Sequence, residues 1–383
     1  MQRTYKFRLY PSIEQTKKLQ NNLKVCKWVY NKMIDYSKNK SVSRNDLNYF
    51  LTELKEQEPW LYSYHSKMLQ MISTQIDGAQ KALERLRKNG YKTGSLKFAK
   101  YEECGSFTYN QSGFKIEEGF LHLSKIGKTR IILHRSIPEN VQIKQIMVSK
   151  SKSGKWHACV TCDVDTALPK IRFLNSVGLD VGIKNLAYDS DGFATPNPLN
   201  LKKLLKPLTR AQRNISRRSI GSQNRKKAVK FYQIVHERIK NRRKDFLHKL
   251  STHYAKKYDV IFVERLAKSN MVKNHKLARN ILDSGWGIFT NMLDYKCVLV
   301  EVPARNTTVD CSRCGNKVSK SLAVRTHRCD ACGLVLDRDH NAAINILKRG
   351  LGIFNIKLPQ ELREVTPVKI PKGSMKQENT TGR

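Results

Sequence analysis

Four cysteines near the C-terminus constrain the fold of this chain more than any other feature. Cys311 and Cys314 form one C-x2-C pair, Cys329 and Cys332 form a second, and fourteen residues separate the two pairs. Two such pairs supply four thiolates in a tetrahedron, which suits zinc and leaves no open coordination position. The spacing therefore predicts a structural zinc ribbon, a segment too small to hold a hydrophobic core of its own.

The charge of the chain indicates a polyanionic partner. Lys and Arg number 72 against 32 Asp and Glu, which gives a formal net charge of +40 over 383 residues. Such an excess repels itself in a compact state and exceeds what solubility requires. Nucleic acid is the partner that this balance favours, because each neutralised phosphate releases counterions. An anionic membrane surface is the alternative.

The sequence contains no signal for a membrane or for secretion. The first residues, MQRTYKFRLY, lack the apolar core of a signal peptide, and no eighteen apolar residues run together. The odd number of nine cysteines, four of them in the two pairs, fits a reducing compartment better than a disulfide framework. We expect a soluble cytoplasmic protein that has no membrane partner.

Hydrophobic periodicity predicts a strand, a helical block and further strands in the N-terminal half. Tyr5, Phe7 and Leu9 alternate with basic residues in RTYKFRLYP, which is the period of a strand with one buried face. Helical spacing follows from 12 to about 90, and short strand-like runs return from about 105 to 165. This order predicts a small barrel that is interrupted by helices.

The C-terminal half reads as an α/β region. SVGLDVGIKNLAYDSDG is typical of a central strand with a hairpin partner, and YDVIFVERL is a second apolar strand. Between them, residues 201–257 combine helical spacing with many Lys and Arg residues, which predicts a basic helical hairpin. A helix is expected near 277–299, and a last one over NAAINILKRG.

Three acids are the candidate catalytic residues. Asp180 interrupts one apolar strand and Glu264 ends the other, where a carboxylate is costly to bury unless a cation or partner meets it. On neighbouring strands of an open sheet the two could converge, and Asp339, at the start of the last helix, could supply a third. Three carboxylates can hold two Mg²⁺ ions about 3.5–4 Å apart, one to activate water and one to stabilise the leaving oxygen of a phosphodiester.

Each of these acids alone has an ordinary interpretation. An acid near a glycine is often part of a turn, and either Asp337 or Asp339 can cap a helix N-terminus. The charge of the chain and the cysteine ribbon between the second and third acids favour the joint interpretation as a metal site. We expect His327 and His340, beside the ribbon, to face solvent or phosphate, since the cage already has four sulfurs.

Seven motifs together resemble one protein family. They are KFRLYPSIEQ, GLDVGIKNLA, VIFVERL, DSGWG, CSRCG, RTHRCDACG and DRDHNAAINI. In this order the chain resembles the TnpB proteins of insertion-sequence transposons, which are ancestral to the type V CRISPR effectors. The resemblance extends from Lys6 to about Gly350.

The resemblance implies an α/β fold with a small β-barrel. The nuclease domain would be RuvC-like, related to ribonuclease H, with the zinc ribbon inserted before its last helix. The N-terminal part would be an oligonucleotide-binding-type barrel, called the wedge, interrupted by a helical recognition block. The wedge would comprise residues 1–11 and 96–168, and the recognition insertion residues 12–95. The nuclease domain would comprise residues 169–306 and 337–357. The zinc ribbon would comprise residues 307–336, and the disordered tail residues 358–383.

The resemblance also implies an activity. Members of this family bind a guide RNA from the transposon end, read a short motif beside the target, and cleave complementary DNA. Asp180, Glu264 and Asp339 fall on the family's nuclease acids and would hold catalytic Mg²⁺, while Zn²⁺ would be structural. The partners would be one guide RNA per protein and target DNA, double- and single-stranded, in a prokaryotic cytoplasm or nucleoid. Base pairing would read the sequence and a basic channel would hold the heteroduplex.

Two alternative functions and three nucleic-acid contacts complete these expectations. A nuclease-silent RNA-guided repressor would lack one of the three acids, whereas a strand-joining transposase could use the same acids and metals. Gln70 and Thr108 are polar residues in the half that resembles the wedge and recognition block, where they could reach base edges. Arg325 is expected to contact nucleic acid from the ribbon.

Overall fold

Two units make up the chain, Met1–Leu168 and Pro169–Arg383. The computed structural model describes residues 2–38, 42–100, 105–138, 141–164, 175–321 and 323–354. The disordered tail expected at 358–383 lies outside the described residues. Among the helices of the described residues, none combines the length and the apolar character needed to cross a membrane.

The N-terminal unit is built on one antiparallel sheet of seven strands. They are β1 (Gln2–Tyr10), β2 (Ser106–Asn110), β3 (Phe114–Glu117), β4 (Phe120–Leu123), β5 (Gly127–Ile132), β6 (Ile143–Lys150) and β7 (Trp156–Asp163). Their order is β2-β6-β7-β1-β5-β4-β3, so β1 lies in the middle of the sheet. The described pairings leave β2 and β3 at the edges and give a half-barrel, and closure into a full barrel stays a prediction.

Helices separate β1 from β2 in the sequence. They are α1 (Ile13–Tyr36), α2 (Arg44–Gln57), a short 3-10 helix (Pro59–Ser63) and α3 (Ser66–Lys88). A capping box starts α1: the Ser12 hydroxyl accepts from the Gln15 amide, and the Gln15 side chain accepts from the Ser12 amide. Phe7 and Leu9 of β1 are buried in the same core as residues of these helices, as the alternating pattern predicted.

A mixed sheet of five strands lies at the centre of the C-terminal unit. The strands are β8 (Ser176–Asp180), β9 (Asn185–Asp189), β10 (Ala194–Pro196), β11 (Val260–Glu264) and β12 (Val298–Val302). Their order is β10-β9-β8-β11-β12. The β8–β9 and β9–β10 pairs are antiparallel, whereas β11 is parallel to both of its neighbours.

Among the described residues of this unit, seven helices and a two-stranded ribbon complete the fold. The helices are α4 (Asn200–Lys203), α5 (Leu205–Ser216), α6 (Gln223–Lys257), α7 (Lys268–Met271), α8 (His275–Ser284), α9 (Trp286–Asp294) and α10 (Arg338–Ile353). The ribbon strands are β13 (Thr326–Arg328) and β14 (Val335–Asp337), paired antiparallel. Helices α5 and α6 form the basic hairpin that the sequence predicted.

The five-stranded sheet is covered on both faces. On one face, Leu179 and Val263 pack with residues of α6 and α9, such as Phe289. On the other face, Phe262 packs against α10. Gly178 permits a close approach of α10, because a Cβ atom there would lie 2.2 Å from the carbonyl oxygen of Ala343. This contact fixes the position of α10 over β8.

Two predicted helices have different bounds. The helix expected near 277–299 is divided at Gly285, whose φ of 70° is a left-handed conformation that glycine adopts without strain. Helix α9 then ends at Asp294, and the apolar run that follows forms β12 at the edge of the sheet. The last helix begins at Arg338, before the NAAINI run.

Candidate functional site

Asp180 and Glu264 lie at the carboxyl ends of two adjacent parallel strands. In the register of β8 and β11, Leu179 pairs with Val263, so each acid follows a paired residue directly. Neighbouring strands lie about 4.8 Å apart. The two acids are therefore at adjacent positions on the same edge of the sheet, where open α/β sheets commonly bind their ligands.

Both acids point to the face of the sheet that α10 covers. Side chains two residues apart in a strand share a face, so Asp180 lies on the face of Gly178 and Glu264 on the face of Phe262. Gly178 and Phe262 both lie against α10. Asp339 is in the first turn of that helix and is buried. The structure thus brings the three predicted acids to one end of the sheet.

The carboxyl groups influence one another electrostatically. Burial is the main cause that raises the pKa of Asp180 well above its ordinary value, and the negative charges of Glu264 and Asp339 raise it further. Burial also raises the pKa of Glu264, against the opposing effects of a hydrogen bond from Thr307 and the charge of Arg349. Neighbouring charges have such effects over about 4–6 Å. A cation among these carboxylates would offset their repulsion.

Asp339 is held by two arginines. Arg338 donates from Nε and Nη2 to Oδ1 of Asp339, at 3.2 and 3.1 Å, and Arg325 of the ribbon donates to Oδ2 at 3.4 Å. Asp337 has a different role, because its carboxylate accepts from the backbone amide of Asp339 at 2.8 Å. Of the two aspartates that could cap the last helix, Asp337 is the one that does so.

The four cysteines form a cluster suited to a metal ion. Their sulfur atoms all lie within 4.8 Å of one another. Cys311 and Cys332 are 3.6 Å apart, as are Cys314 and Cys329. A tetrahedral zinc ion with Zn–S bonds of about 2.3 Å requires sulfurs about 3.8 Å apart, so these residues fit zinc. Among the described residues, the ligand atoms of the three acids are not as close to one another as the four cysteine sulfurs are.

Both histidines beside the ribbon are buried, so the expectation that they face solvent or phosphate is wrong. His327 is 0% exposed in the small ribbon core, and its Nδ1 lies 2.5 Å from Nζ of Lys320. Burial, together with the charge of Lys320, lowers the pKa of His327 to about 4. His340 stacks on Tyr188 of β9 with ring centroids 5.3 Å apart. The two histidines are buried by tertiary packing of the ribbon and of α10, which the sequence pattern did not indicate.

The candidate nucleic-acid contacts differ in their exposure. Gln70 is partly exposed on α3, and its role stays a prediction. Thr108 is only 5% exposed within β2, which argues against direct contact with a base. Arg325 is exposed and lies beside Asp339, so a phosphate near the acids could reach it. Sequence reasoning missed Thr307 and the buried amides of α10, because their contacts join distant segments. It also missed Arg338, whose partner Asp339 is the adjacent residue.

Three family models match parts of the chain. One described as "Probable transposase" matches residues 157–275, and one described as "Cas12f1-like, TNB domain" matches 286–346. A third, described as "Helix-turn-helix domain", matches 1–41. In that stretch the described residues form β1 followed by α1.

Relatives extend these matches over most of the chain. A protein of Acanthamoeba polyphaga mimivirus named "TnpB-like protein L770" is 26% identical over 90% of this chain and 73% of its own length. A Streptomyces pristinaespiralis protein named "Putative RNA-guided DNA endonuclease" is 34% identical over 92% of this chain and 90% of its own length. The chain belongs to the TnpB family. An Escherichia coli K12 relative of this TnpB chain, named "Putative RNA-guided DNA endonuclease InsQ", is 30% identical over 91% of this chain and 92% of its own length.

The fold of this TnpB chain has a counterpart among solved structures. It matches a Cas12f1 structure, determined as a complex with sgRNA and target DNA, with a TM-score of 0.50 and 13% identity. The match covers 90% of this chain and 98% of the other. At this identity the likeness concerns the fold alone.

Proposed function

We propose that this TnpB protein is an RNA-guided DNA endonuclease that hydrolyses the phosphodiester bonds of DNA complementary to its guide. The observation that carries the proposal is the convergence of Asp180, Glu264 and Asp339 at one end of the sheet. Family membership supports it, since two relatives that match nearly the whole chain carry the name "Putative RNA-guided DNA endonuclease". The net charge of +40 supports nucleic-acid partners.

The three acids would hold the catalytic metal. Carboxylate oxygens are the donors that Mg²⁺ prefers. Burial and the negative charges of Glu264 and Asp339 raise the pKa of Asp180, and a bound divalent cation would offset this repulsion. Bound Mg²⁺ would supply water activation and stabilisation of the leaving oxygen. Glu264 is oriented by Thr307, and Asp339 is held at the N-terminus of α10. Arg325, exposed on the ribbon beside Asp339, would receive the phosphate of the substrate strand.

The cysteine cluster would hold a structural Zn²⁺. Four thiolates leave no open position, so this ion would stabilise the ribbon rather than act on substrate. The ribbon core is small and includes two of the cysteines, Cys311 and Cys329. Cys314→Ser should release the zinc and unfold the ribbon locally, with loss of cleavage. Metal analysis that found no zinc in the intact protein would contradict this assignment.

The nucleic acids would be one guide RNA per protein and its DNA target, including the displaced single strand. The basic hairpin of α5 and α6 is rich in exposed Lys and Arg residues and would line the path of the heteroduplex. We assign the half-barrel to the wedge and its helical insertion to target recognition. The five-stranded unit with α10 would be the RuvC-like nuclease domain, with the ribbon inserted before α10.

The test begins with the RNA that copurifies with the protein. This RNA should have a defined sequence, and replacing its guide segment should redirect cleavage of a plasmid library with a randomised flank. Binding without cleavage in the presence of Mg²⁺ would instead indicate a repressor. Joined strands would indicate a transposase. Cleavage that did not follow the guide would contradict the proposal.

A further inference from the structure

The carboxylate of Glu264 has a hydrogen-bond partner that no motif in the sequence indicated. The hydroxyl of Thr307 donates to Oε1 of Glu264, across a separation of 43 residues. Thr307 is only 2% exposed, so water does not compete freely for this hydroxyl. One carboxylate oxygen of Glu264 is thereby held by the protein.

Thr307 is itself held by α10. Nδ2 of Asn345 donates to the backbone carbonyl oxygens of Thr307 and Asp310, at 2.9 and 2.7 Å. One turn earlier, Nδ2 of Asn341 donates to the Asp310 carbonyl at 2.9 Å, and its Oδ1 accepts from the Ser312 amide at 2.8 Å. Residues four apart share a helix face. One face of α10 thus clamps the backbone of 307–312.

These amides are buried, which makes the clamp specific. Asn341 is 0% exposed and Asn345 is 6% exposed. A buried amide must find hydrogen-bond partners, and the backbone of 307–312 provides them. A shift of that segment along α10 would leave the amides and carbonyls unsatisfied. The clamp therefore sets the register between α10 and the segment.

The same helix carries Asp339 and the same segment carries Cys311. Helix α10 therefore places one acid directly and orients a second through Thr307. The segment enters the cysteine cluster only four residues after Thr307, so the cluster and the acid site share one short stretch of backbone.

We propose that Thr307 is a positioning residue for Glu264, held in register by the asparagine clamp of α10. Its hydroxyl restricts the rotation of the carboxylate and leaves one oxygen for a divalent cation. Partners of this kind, which orient a ligand without touching the metal, typically change affinity or activity by about 10–100-fold. This proposal rests on the proposed function and assigns the group that orients one of its three acids.

The experiment compares Thr307→Val, which keeps the shape but loses the hydroxyl, with Thr307→Ser, which keeps the hydroxyl. Thr308→Val is the matched control on the adjacent threonine. Single-turnover cleavage of guide-matched DNA is measured over a range of Mg²⁺ concentrations. Thr307→Val should cut about 10–100-fold more slowly at limiting Mg²⁺ and should need about tenfold more Mg²⁺ for half-maximal rate. Thr307→Ser should remain within about threefold of wild type by the same reasoning.

A second readout is independent of cleavage. Mn²⁺ binding to the protein–guide–target complex is measured by electron paramagnetic resonance, with Asp180→Ala as the background for ions held by the nucleic acids. Thr307→Val should bind the acid-dependent Mn²⁺ more weakly, whereas zinc content and target binding in a gel shift should not change.

Several outcomes would overturn the proposal. It fails if Thr307→Val has the metal dependence of wild type, or if Thr307→Ser is impaired as much as Thr307→Val. A wild-type protein that does not cut would contradict the proposed function instead, and the Mn²⁺ comparison would still decide the role of Thr307.

Discussion

Protonation of Asp180 makes the stability of the folded protein depend on pH. Its pKa is raised in the folded protein, so the folded state binds a proton more readily than the unfolded chain does. The folded state therefore loses stability as pH rises from about 4, the value for an unperturbed Asp, through the raised pKa. Without metal, burial of this carboxyl therefore makes the fold less stable at neutral pH than at acid pH.

Asp180→Asn should consequently stabilise the metal-free protein. In EDTA at pH 7.5 its thermal unfolding midpoint should exceed that of wild type, by about 2–4 °C for each kcal/mol gained. The difference should shrink as pH falls towards 4, where wild type is protonated. Asp245→Asn, at an exposed pair with Lys249 on α6, is the control and should change little. A lower midpoint for Asp180→Asn at pH 7.5 would show that burial of the Asp180 carboxyl group does not reduce the stability of the metal-free protein.

The acids of the site should separate cleavage from binding. Alanine at Asp180, Glu264 or Asp339 should abolish cleavage of a guide-matched plasmid with Mg²⁺, while a gel shift shows target binding largely intact. Because the three act as one unit, double variants should lose little more than single ones. If every single variant still cut, the nuclease site would lie elsewhere.

Asp337 is the contrast for this series. As an N-cap, its replacement by alanine should cost about 1 kcal/mol of local stability and only a modest part of the rate. Asp337→Ser should restore the cap. An inactive Asp337→Ala beside an active Asp339→Ala would reverse the roles that we assign to the two residues.

At the residue scale, the sequence indicated the acids but not their partners. A carboxylate at the end of an apolar strand is visible in a sequence because it breaks the pattern. The bond from Thr307 to Glu264 joins residues 43 apart, and no local pattern records it. The burial of Thr108 was also beyond reach, since alternation alone does not tell which strand is covered on both faces.

Helix α10 is the element on which the site depends most. It lies so close to β8 that a methyl group at Gly178 would meet the backbone of Ala343, at 2.2 Å from its carbonyl oxygen. Gly350 of α10 approaches the ring of Phe262 in the same way. Both contacts place the N-terminus of α10, and hence Asp339, relative to the strand ends.

Gly178→Ala should therefore displace α10. Because the obstacle is backbone rather than a flexible side chain, we expect a loss of about 1–3 kcal/mol in stability. We also expect a cleavage rate reduced at least about tenfold, since small shifts of catalytic groups are costly. Gly352→Ala is the matched control, because its added methyl meets nothing within 4 Å. Thermal unfolding and plasmid cleavage measure the two effects, and equal behaviour of the variants would exclude this role for the close contact.

At the element scale, the sequence predicted the strands that carry acids and the basic hairpin, but not β12. The helix expected near 277–299 ran over the first residues of Val298–Val302, and the sequence did not mark this segment as a strand. What separates the segment from the helix is Gly285 in a left-handed conformation and the parallel pairing with β11. Pairing between strands that are distant in sequence is a tertiary effect, so periodicity alone could not reveal it.

At the scale of the whole molecule, charge is the property that the sequence states most directly. The net charge of +40 indicates nucleic acid independently of any motif. Charge alone does not say where the nucleic acid lies. The salt dependence of guide-RNA binding can show whether the exposed lysines of the α5–α6 hairpin contact phosphates more than lysines elsewhere in the chain do. Each lost phosphate contact reduces the magnitude of the slope of log K against log salt by about 0.7–0.9.

We therefore compare two triple substitutions of Lys by Gln that change the net charge equally. The test set consists of exposed lysines in the first turns of α6, Lys226, Lys227 and Lys230. The control set consists of lysines outside the hairpin that already pair with a carboxylate, Lys18, Lys81 and Lys115.

For the test set, the salt slope of guide-RNA binding should fall by up to about 2–3, and affinity should weaken alike for all guide sequences. The control set should alter the slope by less than about 1, because paired lysines contribute little to phosphate binding. Filter-binding titrations between 50 and 400 mM salt provide the slopes. Equal slopes for both sets would mean that net charge, rather than the hairpin, sets the affinity, and the path proposed for the heteroduplex would then have to be placed on another surface.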